Sequence, residues 1–325
     1  MHRIKHLLVL VGAALLGACG AQEAADRSSA TAAAAPGTAP ATGNATAEEV
    51  ARESRGKIKC PAKLASAARA EHAPVDDVLG VRPGIAYDEA VSIVLCTHDL
   101  LVVQDDTSRR YNIETYGNTI RQGFAARFAE PRVEKTSQQI MREMQDEFSA
   151  RSGNAVRSDV NPGQAKWYVG TIGVPGQEQV ISVAREEWFE AGRNPPLASV
   201  EQALIEKYGP PSRNQRNGHR YMSWIFDPLG RRATETSQLF HRCTGSSDPD
   251  GATTFLPDCG VVVTATIIPL RDNPDLSQYF QVGIVDQARG YDQITTTEQA
   301  LQQLDAKRRA AEVDDAAKNA APPSL

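Results

Sequence analysis

The chain predicts an α+β fold: antiparallel sheet, or sheets, with short helices packed on one face, in two related subdomains. Three patterns carry that expectation. Segments with helical apolar spacing are each followed by several strand-like runs, the order of an α+β fold and not of a parallel βαβ one. Four strand-like runs succeed one another in the C-terminal half across turn-rich connections, as in an antiparallel meander. Two helix starts also compare at an offset of 112 residues, Gly84-Ile85-Ala86-Tyr87-Asp88-Glu89 against Pro196-Leu197-Ala198-Ser199-Val200-Glu201, with Ala86/Ala198 and Glu89/Glu201 identical. An internal duplication would leave that match, and so would two ordinary helix N-termini.

Residues 1–18 lie outside the fold. His2, Arg3, Lys5 and His6 make a basic flank and Leu7 to Leu16 an apolar run, the length of a secretion signal and far short of the roughly 20 residues of a membrane span. Next, Leu16-Gly17-Ala18-Cys19 resembles the lipobox of bacterial lipoproteins. The resemblance implies cleavage before Cys19, its diacyl or triacyl modification, and a mature chain of 307 residues; Arg3 and Lys5 leave with the signal, so the formal charge moves from −5 to −7. Gly20 follows the cysteine where an Asp would retain the protein in the inner membrane, so the resemblance implies the periplasmic side of the outer membrane.

Residues 19–56 are Ala, Thr, Ser, Gly and Pro with few large apolar side chains. Such a composition cannot bury enough surface to offset its ordering entropy, so it reads as a disordered tether with a root-mean-square span on the order of 30 Å. A first α+β subdomain is expected over 57–190. It opens with the turn signal Gly80-Val81-Arg82-Pro83-Gly84-Ile85 and a short helix carrying Tyr87, Val91, Val94 and Leu95 on one face, ending near Cys96. Leu100 to Val103, Tyr111 to Tyr116 and Thr119 to Phe128 read as strands. A second helix follows at Ser137 to Arg151, opened by a Thr136/Gln139 capping box with Ile140, Met144 and Phe148 on one face. Lys166 to Ile172 and Gln179 to Trp188 form a hairpin about Gly173 to Glu178.

The second subdomain is expected over 191–311. Its helix has Ser199 and Gln202 as a capping box, Val200, Ala203, Leu204 and Tyr208 on one face, and Gly209-Pro210-Pro211 as its stop. Arg220 to Phe226, Ser237 to Cys243, Gly260 to Ile268 and Tyr279 to Val285 make the meander. A last helix starts at a Thr295/Glu298 capping box and carries Leu301 and Leu304, and residues 312–325 read as a disordered Ala- and Pro-rich tail.

Besides Cys19 there are four cysteines, an even number, which in an exported protein favours disulfides. Cys243 pairs with Cys259, because the strands either side of the turn-rich stretch Thr244 to Asp258 bring them to the mouth of a hairpin. Cys60–Cys96 follows by elimination. A metal site drawn from Cys96-Thr97-His98 and His241-Arg242-Cys243 competes with this pairing but lacks the usual zinc-ligand spacings.

Mild acidity, 35 Lys+Arg against 40 Asp+Glu, argues against nucleic acid as a partner. No nucleophile elbow, Walker loop, dinucleotide fingerprint or His-Glu-x-x-His is present, and no cofactor is expected. His72, His98, His219 and His241 are the candidates for a general base. Asp248-Pro249-Asp250-Gly251 has the opening of a calcium loop without its closing Glu and reads as an Asp-Gly turn. Arg213, Arg216, His219 and Arg220, with Arg231-Arg232, form a basic cluster that reads chiefly as solvated loop and otherwise as an anion-binding patch. Trp167, Trp188 and Trp224 fall in strands and are expected in the core before a binding platform.

Within Pro196 to Phe226, the short helix, Lys207-Tyr208-Gly209-Pro210-Pro211-Ser212 and Tyr221-Met222-Ser223-Trp224 entering strands are similar to a motif of SmpA/OmlA-type lipoproteins, over about 30 of the 325 residues. That resemblance implies an α+β interaction module connected with outer-membrane β-barrel assembly. The expected function is therefore a lipid-anchored binding or scaffolding module with a membrane contact through Cys19 and an envelope protein partner. A periplasmic hydrolase built on one of the histidines, and a protein inhibitor presenting the disulfide-held loop 244–258, are the alternatives.

Overall fold

The computed structural model describes residues 43–61, 73–106, 111–149 and 160–320. They contain, in chain order, α1 (Ala47–Arg55), α2 (Tyr87–Leu95), β1 (Leu101–Asp105), β2 (Gly123–Phe128), α3 (Ser137–Ser149), β3 (Ala165–Ile172), β4 (Gln179–Trp188), α4 (Leu197–Tyr208), β5 (Arg213–Arg216), β6 (Arg220–Ile225), α5 (Gln238–Arg242), β7 (Val261–Leu270), β8 (Asn273–Asp286) and α6 (Gln287–Asn319). The eight strands form one antiparallel sheet in the order β1-β2-β3-β4-β8-β7-β6-β5.

The two subdomain stretches are two four-strand meanders, each preceded by one sheet-packing helix, fused where β4 pairs with β8. The backbone repeats even at the helix entrances. Ala86, just before α2, bridges to Gln179 at the start of β4, and Pro196, just before α4, bridges to Leu276 in β8. The starts of α2 and α4 are 110 residues apart, against the offset of 112 at which the two sequence windows compare. The N-caps Ala86 and Pro196 donate no side-chain cap, so the strand bridge, not a Ser199/Gln202 box, starts the second helix.

α2 buries Tyr87, Ala90, Val94 and Leu95, and α4 buries Leu197, Leu204 and Tyr208. Both pack on the sheet face carrying Phe124, Trp167, Val183, Trp224, Val263 and Ile284, in one continuous core. The opposite face is closed by the 244–258 insert together with α5 and the start of α6. Its backbone approaches so closely that a Cβ on Gly283 would lie 2.0 Å from the Ser246 carbonyl oxygen. Thr264 Oγ1 donates to the Gly245 carbonyl at 3.2 Å, and Phe255 of the insert occupies the space above Gly290. The insert thus contacts the sheet through Gly245 and Ser246.

The expected hairpin of β3 and β4 is present from Ala165↔Glu187 to Ile172↔Gln179, and Thr136 and Gln139 cap α3 reciprocally. Several expectations are corrected. The tether reading of 19–56 overlooks α1, whose Thr46/Glu49 capping box is complete and whose Ala51 is fully buried against the edge of β1. Tyr111 to Tyr116 is not a strand, because Tyr116 and Gly117 turn at φ 52° and 81°, and β2 starts only at Gly123. Ser237 to Cys243 is a helix: Ser237 caps α5 by accepting from Leu239 N. α6 starts eight residues before the expected box, since Asp286 accepts from Arg289 N while Thr295 Oγ1 merely donates back to the Tyr291 carbonyl. The same helix runs to Asn319 through most of the supposed tail. The segment Arg213–Arg216, read as loop, pairs with β6 as the edge strand β5.

Both cysteine pairs are disulfides, Cys60–Cys96 with Cα atoms 5.3 Å apart and Cys243–Cys259 with 5.6 Å. The second ties the end of α5 to the start of β7 instead of closing a hairpin mouth. It closes a loop of 16 residues, for which chain entropy gives about 3 kcal/mol. The double variant Cys243→Ala, Cys259→Ala is expected to lose about that much stability in urea unfolding, without loss of the sheet by far-ultraviolet circular dichroism.

Candidate functional site

The seam strand β4 reads Val183-Ala184-Arg185-Glu186-Glu187, and alternation places Arg185 on the helix-bearing face between its register partners Trp167 of β3 and Val282 of β8. A guanidinium in an apolar layer needs partners. Arg185 finds some: its Nη1 donates to Glu187 at 2.5 Å, and its Cζ lies 5.3 Å from the Trp167 ring centroid and 5.9 Å from that of Phe280. Its Nε is buried and meets no acceptor among the described residues. A buried donor left in that state costs on the order of 1–3 kcal/mol.

Arg185 stands in the wall of a cavity of about 350 Å³ over the seam, between α4 and the turn that precedes α2. Phe189, Val200, Leu204, Phe280 and Val282 make its walls apolar, with Ala203 of α4 and Leu79 of the turn at its sides. This volume is within the roughly 300–1,000 Å³ typical of small-ligand sites.

Asp77 holds the two sides of the cavity together. Its buried carboxylate accepts from Gly80 N at 3.0 Å and Lys207 Nζ at 3.1 Å, while its carbonyl accepts from Tyr208 Oη at 3.0 Å. The turn itself is a two-residue hairpin: Val78 and Val81 exchange both backbone hydrogen bonds, leaving Leu79 at φ 49° and Gly80 at φ 93°. Two positive φ values define the type I′ geometry, which Asn-Gly suits and a Leu at the first position does not. Leu79 nevertheless sits there, 42% exposed, at the side of the cavity.

Two other charged centres lie on the helices of this face. Arg121 donates to Asp88 at 2.8 Å and to the buried Glu178 at 3.0 Å, and lies 3.9 Å over the Tyr87 ring. Burial, then the hydrogen bond to Asp105, pushes the Tyr87 hydroxyl far above the usual phenol range. On α4, burial alone would raise the Glu201 carboxyl. Hydrogen bonds from Asn214 and Arg216, with the charges of Arg216 and Arg220, outweigh it and hold the pKa below the ordinary 4.5.

Cys19 and His72 lie outside the described residues. His98, in the loop after α2, His219, in the β5–β6 turn, and His241, on α5, are exposed and line no part of the cavity. All four cysteines of the two Cys-x-His and His-x-Cys candidates and their partners are oxidised to disulfides, which removes the competing metal reading. Asp248 Oδ1 accepts from Asp250 N, and the Asp250 carboxylate binds Lys166 Nζ at 2.7 Å, the arrangement of a turn. The basic cluster is paired: Arg216 and Arg220 with Glu201, Arg231 with Asp227, and Arg213 with the Phe240 carbonyl and ring. Trp167 and Trp224 are core, whereas Trp188 stacks on Tyr279 at 4.5 Å.

No family model, no curated protein and no solved structure matches this chain. The cavity escapes a reading of the sequence because its walls come from three separated stretches with no motif in common. Two signals bear on it: an Arg at an inward position of a strand with buried neighbours, and Leu rather than Asn before Gly80.

Leu79→Asn is expected to raise stability by about 1 kcal/mol in urea unfolding, since it restores the residue that the turn favours. Glu201→Gln tests the α4 centre by its pH dependence. A carboxyl depressed in the fold stabilises above its unfolded pKa and loses that contribution as pH falls through the folded one. The stability gap between wild type and variant is therefore expected to be full at neutral pH and to close once pH drops below the ordinary 4.5.

Proposed function

We propose that this protein is an outer-membrane lipoprotein whose body, on the periplasmic side, is a binding module, with the cavity over the β4–β8 seam as its ligand site. The observation that carries the binding role is the cavity itself: apolar walls with Arg185 and Lys207 among the lining, and a strained, exposed Leu79 at its side. The anchor is supported by the apolar run Leu7 to Leu16 followed by Leu16-Gly17-Ala18-Cys19. Two disulfides accord with an oxidising compartment.

The mechanism is one of confinement. Lipid on Cys19 restricts the body to a thin layer beside the membrane and raises its effective concentration toward envelope ligands and protein partners there. The similarity read in the sequence between Pro196 to Phe226 and a motif of SmpA/OmlA-type lipoproteins supports a role in assembly or maintenance of the outer membrane.

Cys19→Ser tests the anchor. The variant is expected to keep its signal segment, to take up no labelled palmitate, and to leave the outer-membrane fraction on density-gradient separation. Processing of the variant together with sedimentation in that fraction would overturn the anchor.

A further inference from the structure

Each half of the fold carries one covalent staple of its own, Cys60–Cys96 in the first and Cys243–Cys259 in the second. We propose that a third bond ties the halves together: an isopeptide between Lys166 of β3 and Asp250 of the 244–258 insert, formed by the folded chain itself with Glu186 of β4 as the proton carrier.

Lys166 and Glu186 are register partners on the sheet face that the insert contacts. Lys166 Nζ lies 2.7 Å from Asp250 Oδ2 and 3.9 Å from Glu186 Oε2. Near-attack geometry has the reacting atoms about 3–3.5 Å apart, and the Asp250 carboxyl carbon is one bond beyond the oxygen that Nζ meets. The Lys166 side chain is 15% exposed and that of Glu186 8%, so both are largely shielded from water; that of Asp250, 54% exposed, opens on the solvent into which a leaving group passes. In the pairs Lys135–Glu143 and Lys318–Asp315 neither partner is shielded in this way.

Both carboxylates are held in place. Asp250 N donates to Asp248 Oδ1 at 3.0 Å in the turn of the insert. Glu186 accepts from two neutral donors, Trp188 Nε1 at 2.8 Å and Gln281 Nε2 at 2.7 Å. A carboxylate has about four lone-pair sites, so these bonds orient Glu186 and leave it able to take a proton from Lys166.

The step condenses an ammonium with a carboxylate. Nζ bonds to Asp250 Cγ and one Cγ–Oδ bond breaks; two of the three ammonium protons leave with that oxygen as one water. Glu186 takes the first of them, which frees the Nζ lone pair for attack, and returns it to the departing oxygen, so it ends as it began. Nothing is oxidised or reduced, and no co-reactant is needed. Holding the two groups in contact makes the reaction unimolecular, a gain equivalent to effective molarities of about 10⁵–10⁸ M. The residues joined are 84 apart in sequence, and the bond spans the β4–β8 seam that neither disulfide crosses.

Mass spectrometry of the purified, folded full-length chain, held until its mass is constant, decides the matter. Wild type is expected to lack the mass of one water after reduction, and trypsin to release a branched peptide joining 158–185 to 243–271, uncut after Lys166. Lys166→Arg and Asp250→Ala, the latter at an exposed turn position, are expected to fold by circular dichroism and to give no branched peptide. Glu186→Gln is expected to slow its appearance by about 10²-fold or more. Cleavage after Lys166 with no branched peptide from folded wild type overturns the bond. A missing water without the branched peptide is a succinimide at Asp250-Gly251 and overturns it equally, while closure of folded Glu186→Gln at the wild-type rate overturns the role of Glu186.

Discussion

Everything in this molecule depends on the antiparallel pairing of β4 with β8, from Ser182↔Val285 to Trp188↔Tyr279. Each four-strand meander alone would have an apolar face served by one short helix and two open edges. Joining them at the seam removes one edge from each half and makes a core continuous from Phe124 to Trp224. Residues at the seam are chosen for both faces at once. Val183, Val282 and Ile284 fill the helix side, while Ala184 opposite Gly283 is small enough to let the Ser246 backbone lie on the sheet. The seam also dictates where space remains. α2 and α4 belong to different halves, so the surface over the junction is bounded by α4 and by the turn ahead of α2, and the cavity lies there.

The two halves share a path but not their chemistry. At the offset set by the helix entrances, Glu201 of α4 corresponds to Val91 of α2. The substitution of a carboxylate for an apolar side chain lets α4 hold Asn214, Arg216 and Arg220 of the β5–β6 hairpin. The outer edges are protected differently too. β1 is covered by α1, with Ser54 accepting from Val103 N at 3.4 Å, whereas β5 is short and carries Arg213 and Arg216, the charged edge that discourages pairing with another chain.

What the sequence discloses follows from how locally each element is determined. The β3–β4 hairpin, the reciprocal cap of α3 and the stop of α4 at Gly209, φ 80°, are written in adjacent residues and are legible there. The pairing of cysteines is legible from number and position, although its context is not: Ser237 to Cys243 has strand-like composition and becomes helical because Ser237 can cap it and the insert occupies the sheet face. α1 and the far end of α6 are hidden by averages. Their Ala-rich composition is equally that of a disordered segment and of a good helix, and only the Thr46/Glu49 box and the Arg308 pairs with Asp305 and Glu312 tell them apart. The cavity depends on three segments meeting, which no local pattern encodes.

Around that cavity three costs meet. Leu79 holds a left-handed conformation that Asn would adopt more readily, Arg185 keeps a buried Nε without an acceptor, and apolar walls enclose volume that a larger residue at Ala203 would fill. Elsewhere on the same face Arg121 is bonded to two carboxylates, and Glu201 to an amide and a guanidinium. Buried polar atoms without a partner among the described residues also occur at Trp167 Nε1, Arg220 Nε and Ser223 Oγ, so what sets this place apart is the strained turn at Leu79 beside unfilled apolar space. Local conflicts of this kind gather where binding, not folding, sets the residue. The cavity is therefore the part of this structure that the fold alone does not explain.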